Sequence, residues 1–98
     1  MSGESIERRT VFYTGQVQGV GFRYTAQRLA GSYPVTGYVQ NLPNGEVEVV
    51  VEGTTAALDR YLGSIGKQMA GYIDSCRVES TRATGEFDGF GIKYPRRD

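Results

Sequence analysis

The chain has 98 residues, enough for one domain with a single core, and its 39% hydrophobic fraction is held down by 14 glycines rather than by a disorder-prone composition. Its 11 basic and 11 acidic residues cancel, which leaves no electrostatic footprint for nonspecific nucleic-acid binding and no excess to hold the chain at an anionic membrane. Histidine is absent and cysteine occurs once, which excludes histidine-based triads, histidine metal sites and an intramolecular disulfide.

The segment Met1 to Arg9 is polar and lacks the apolar stretch of a secretory signal. No apolar run approaches membrane-spanning length. These properties predict one cytoplasmic, monomeric domain with its core over about residues 10–94 and polar tails, Arg8 and Arg9 falling in the first. With no net charge, any anion must be held by a local site, and that favours a small ligand.

Val11-Phe12-Tyr13 is β-branched and aromatic, and predicts a buried first strand from Thr10 to Thr14. The run Gly15-Gln16-Val17-Gln18-Gly19-Val20-Gly21-Phe22-Arg23 then joins that strand to a helix beginning near Phe22. Glycine tolerates positive φ and has no side chain to block a ligand, so this loop can bare its N–H groups. A helix N-terminus attracts anions, and the planar fork of Arg23 in the first turn suits phosphate. Neither common nucleotide loop fits, because no lysine follows the glycines and Tyr24 stands where a dinucleotide loop needs a third glycine. The residues alone leave two readings open, a phosphate cradle and a ligand-free flexible connection.

Phe22, Ala26 and Leu29 share one helix face, Gly31 ends the helix, and Pro34 prevents it from resuming. Gly37 to Glu48 reads as a hairpin turning at Asn44-Gly45. Val47, Val49 and Val51 should face inward, with Glu46, Glu48 and Glu52 on a solvated face. Thr54 or Thr55 is the expected N-cap of a second helix with the stripe Leu58, Tyr61, Leu62, Ile65 and Met69. Cys76 and Val78 mark a fourth strand, in which Cys76 is expected to be a small buried residue. Phe90, Ile92 and Tyr94 mark a short last strand, followed by the tail Pro95 to Asp98. The order βαββαβ plus a terminal strand predicts an α+β, ferredoxin-like split βαβ sandwich, an antiparallel sheet with both helices on one face.

The glycine loop, together with Gly37-Tyr38-Val39-Gln40-Asn41 and the Asn44-Gly45 turn, resembles the acylphosphatase family from about Val11 to Tyr94. That resemblance implies a phosphate site built from Gln16, Val17, Gln18, Gly19, Val20, Gly21, Phe22 and Arg23. In it Arg23 binds phosphate, Asn41 positions the attacking water, and no metal, cofactor or covalent intermediate is required. It implies a small acyl phosphate as substrate and inorganic phosphate as product. Leu42 stands where several relatives carry threonine. In some relatives the chain ends at the tyrosine matching Tyr94, whose terminal carboxylate pairs with the arginine; here Pro95 follows, so that contact is not expected.

The chemistry agrees with the lack of histidine. An acyl phosphate releases a carboxylate, whose conjugate acid has a pKa of roughly 4.3, so no general acid is needed at neutral pH. Positioning and charge stabilisation remain, and they dominate phosphoryl transfer. The alternative is a noncatalytic ferredoxin-like anion-sensing or binding module. RNA recognition is disfavoured because the third strand, Val47 to Glu52, offers no aromatic platform and carries carboxylates.

Overall fold

The structure, a computed structural model, describes residues 5–94. Its elements are β1 (Ile6–Gly15), α1 (Phe22–Ala30), β2 (Thr36–Asn41), β3 (Val47–Thr54), α2 (Thr55–Gln68), β4 (Ile73–Arg82) and β5 (Phe90–Ile92). They form the expected α+β, ferredoxin-like arrangement, with one sheet in the order β4-β1-β3-β2-β5. Alternation decides which face of the sheet is buried. Val11 and Tyr13 of β1, Val39 of β2, and Val47, Val49 and Val51 of β3 point to one face. There they meet Phe22, Ala26 and Ala30 of α1 and Leu58, Tyr61, Ile65 and Met69 of α2. Helix α1 lies against β2 and β5, and α2 against β1 and β3.

Helix α2 starts at Thr54, whose hydroxyl accepts from the Ala57 N–H at 3.1 Å and satisfies one of the donors a helix start leaves unpaired. Leu58, Tyr61, Ile65 and Met69 of its stripe are buried and Leu62 is half-buried at the margin, and the Tyr61 hydroxyl donates to the Ala26 carbonyl at 2.9 Å. That bond fastens the two helices together and satisfies a buried hydroxyl.

Four expectations are corrected. First, the sheet is mixed: β5 pairs parallel with β2, whereas the other pairs are antiparallel. The chain leaves β4 at one edge and crosses the helix-free face as a strap over residues 83–89. It therefore enters β5 from the same end at which β2 starts. Second, Arg8 and Arg9 are strand residues rather than tail. Arg9 bonds Glu7 at 2.9 Å and Asp59 of α2 at 2.6 Å, while Arg8 lies on the opposite face.

Third, Glu52 is not solvated. It is 4% exposed and accepts from Arg8 Nε at 2.8 Å, the Thr84 N–H at 2.9 Å and the Gly85 N–H at 3.0 Å. Burial raises its carboxyl, but these donors outweigh burial and hold it below the ordinary glutamate value. Fourth, Cys76 is exposed. The helices do not extend over β4, which forms the sheet edge, so its alternating face finds no partner. The expected tail Pro95 to Asp98 lies outside the described residues, as do residues 1–4. No described helix is long and apolar enough to cross a membrane.

Candidate active site

The site forms where β1 gives way to α1. The register of β1 against β4 shifts between Thr14 and Gly15, and Gly15 has φ of +128°. A Cβ there would fall 2.4 Å from the Tyr72 carbonyl oxygen, so only glycine permits this approach. The loop is then pinned at two points. Val17 is fully buried, and Phe22 packs its ring against Tyr13 with centroids 4.9 Å apart.

Between those points Gly19 and Gly21 have φ of +80° and +79°, while Val20 is not among the positive-φ residues. Such alternation turns successive N–H groups into one concavity, a geometry that favours anions. Gly21 is also the N-cap of α1, with no side-chain cap and no acidic residue in the first turn. The first helical N–H groups therefore keep their capacity to bond an anion, and no carboxylate opposes the helix dipole.

The hairpin brings the second half of the site. Asn41 ends β2 opposite Val47, and the Leu42 N–H to Glu46 carbonyl bond of 2.8 Å closes the turn. Gln18 ties the two halves together. Its Nε2 donates to the Leu42 carbonyl at 2.8 Å and to the Glu46 carbonyl at 2.9 Å. The Gln18 side chain thus fastens the glycine loop to the strand end that carries Asn41.

The result is a cleft of about 240 Å³ lined by Val17, Gly19, Gly21, Phe22, Arg23, Tyr24 and Asn41. Among the expected residues, Gln16, Gln18 and Val20 do not line it: Gln16 is exposed, and Val20 packs against the core. Asn41 contributes a buried Oδ1 with no hydrogen-bond partner among the described residues. A buried polar atom normally has one, and its absence marks a place where a ligand or water can supply it.

Arg23 has no ion pair among the described residues. Its guanidinium instead lies 5.2 Å from the centroid of the Tyr94 ring. The nearby Tyr24 hydroxyl raises the Tyr94 phenol above its ordinary value, against the lowering pull of Arg23. Tyr24 and Tyr94 were not among the expected site residues. The available signal was an aromatic immediately after Arg23, but nothing local tells an exposed tyrosine from a core one.

Comparison with known proteins places the chain in a family. The family model for acylphosphatase matches residues 9–92. The acylphosphatase of Methanospirillum hungatei is 39% identical over 93 residues, covering 95% of this chain and all of that protein. That of Thermotoga maritima is 43% identical over 81 residues, covering 82% of this chain and 89% of its own. The crystal structure of the Bacillus subtilis acylphosphatase superposes with a TM-score of 0.81 at 28% identity, covering 90% of this chain and 99% of that one. A glycine cradle at a bare helix start, an arginine in the first turn and an asparagine delivered by the hairpin thus occur in a sequence matched over nearly its whole length, and the chain belongs to the acylphosphatase family.

Proposed function

We propose that this acylphosphatase hydrolyses the carboxyl-phosphate bond of small acyl phosphates by direct in-line attack of water, with Arg23 and Asn41 as the catalytic residues. The observation that carries the reading is the sharing of one cleft by Arg23 and the unpartnered Asn41 Oδ1, at the bare N-terminus of α1. Loop N–H groups from Gly19 to Phe22 and the Arg23 fork grip the three phosphoryl oxygens. Asn41 Oδ1 accepts a hydrogen bond from the attacking water and turns its lone pair toward phosphorus. An aspartate at this position would oppose the phosphate charge, whereas the amide does not.

The bond from water oxygen to phosphorus forms as the bond from phosphorus to the acyl oxygen breaks. The electron pair of the broken bond leaves on the carboxylate, and the proton released by water goes to a phosphate oxygen. Since the carboxylate departs unprotonated, the chemistry needs no histidine, and the chain has none. Arg23 then supplies the largest single contribution, since a preorganised donor is worth about 2.7–4 kcal/mol in the transition state against about 0.3–1 kcal/mol for an exposed helix terminus.

The test is substrate class. Purified protein should hydrolyse benzoyl and acetyl phosphate, leave an alkyl phosphomonoester essentially untouched, and keep its activity in EDTA. A noncatalytic sensor would bind inorganic phosphate and turn over none of them. Equal action on both substrate classes, or loss of activity on chelation, would refute the mechanism.

A further inference from the structure

One tyrosine lines the cleft and a second lies against the cleft's arginine, and the hydrolytic machinery uses neither. Tyr24 lines it directly, on the first turn of α1, and remains 63% exposed. Tyr94, just beyond β5, is 57% exposed and presents its ring to the Arg23 guanidinium. Single exposed apolar residues are ordinary, but a cluster beside a functional cleft marks a surface available for binding. Ile6, Tyr72 and Val78, the other large exposed hydrophobics, do not line the cleft.

In-line displacement fixes where the leaving group must be. Water and the acyl oxygen lie on opposite sides of phosphorus. Asn41 takes the side of the water, and the cradle backbone surrounds the phosphoryl oxygens. Of the remaining lining side chains, Val17 and Phe22 are buried, and Arg23 is committed to the phosphate. Tyr24 alone keeps a broad open face for the departing group, and Tyr94 extends that face beside Arg23.

We infer that Tyr24 and Tyr94 form the acyl-group subsite of this cleft and select aromatic or other flat apolar acyl phosphates over acetyl phosphate. The inference rests on the acyl-phosphate reading above. A flat acyl group gains ring contact across this rim, whereas the methyl group of acetyl phosphate covers little of it. Tyrosine suits the task because it offers a large rigid face while its hydroxyl stays wet.

The experiment measures kcat and KM for benzoyl and acetyl phosphate with wild type, Tyr24→Ala, Tyr94→Ala and the two Tyr→Phe variants, each checked by thermal melt. Dividing each variant's benzoyl-to-acetyl ratio of kcat/KM by that of wild type cancels the intrinsic reactivities of the two substrates. Each alanine variant should lower the ratio by about two- to tenfold, the worth of one aromatic contact, chiefly through a higher KM for benzoyl phosphate. The phenylalanine variants should keep it, since the ring and not the hydroxyl makes the contact. A ratio unmoved by both alanine variants, in proteins that hydrolyse both substrates, overturns the subsite and leaves the hydrolytic reading standing. Phenylalanine variants as impaired as the alanine ones also overturn it. A wild-type protein that turns over neither substrate overturns both readings.

Discussion

Gln18→Ala isolates the step that assembles the site. The wild-type side chain makes two bonds across the gap between the glycine loop and the hairpin, to the Leu42 and Glu46 carbonyls. Neither carbonyl is orphaned by its removal. The Leu42 oxygen still accepts from the Gly45 N–H at 3.1 Å, and the Glu46 oxygen from the Leu42 N–H at 2.8 Å. The loss is therefore two net hydrogen bonds without an unsatisfied group, at about 0.5–1.5 kcal/mol each. The site is only partly buried, which places the total near 1–2 kcal/mol, or a fall in Tm of about 4–16 °C for a domain of this size. The kinetic effect should exceed that cost, because a displacement of about 1 Å between reacting groups can cost about 10²-fold. Phosphate affinity should change little, since the cradle and Arg23 remain on one continuous segment. Steady-state kinetics, phosphate inhibition and a thermal melt on the same sample separate these effects. A variant that is destabilised as stated but keeps wild-type kcat would show that the tie does not set the position of Asn41.

Arg23→Ala should weaken phosphate inhibition and lower turnover by on the order of 10²–10³, as for a removed oxyanion donor. Asn41→Ala should cut kcat and kcat/KM together by a similar order while leaving phosphate affinity nearly intact, since its interaction is made chiefly in the transition state; a near wild-type kcat would sink that role. Glu52→Ala should destabilise by about 3–5 kcal/mol, the range for removing one partner of a buried ion pair, and toward its lower end because Arg8 keeps Glu86 at 2.9 Å. The folded-state value of the Glu52 carboxyl lies below its ordinary value of 4.5, so its stabilisation is present above that value and fades as pH falls through the folded value. Denaturant midpoints from pH 7 down to pH 3 should accordingly fall less steeply for Glu52→Gln than for wild type, and parallel slopes would count against the assignment.

Local pattern alone was enough for those parts of the molecule whose information lies along the chain. The spacing of Leu58, Tyr61, Leu62, Ile65 and Met69 specifies one helix face, with Thr54 or Thr55 as its cap, and the structure selects Thr54. Asn44-Gly45 between alternating segments specifies the hairpin. The glycine run ahead of Phe22 specifies a tight turn into a helix, with positive φ at Gly19 and Gly21, while the residues alone leave open whether that helix start holds an anion. What sequence pattern could not supply is any property that depends on which strands become neighbours. Glu52 reads as solvent-facing because it alternates with valines, yet the strap over residues 83–89 crosses its face and buries it. Cys76 reads as buried for the same alternation, yet β4 falls at the edge beyond the reach of the helices. Gln18 lies in the loop expected to hold phosphate, and only the arrival of the hairpin gives its side-chain amide two carbonyls to bond. Tyr24 and Tyr94 are far apart in the chain and meet at one cleft only after β5 has paired with β2. Periodicity records which residues share a face, whereas the order of strands and the path of the strap decide whether that face is covered, and by what.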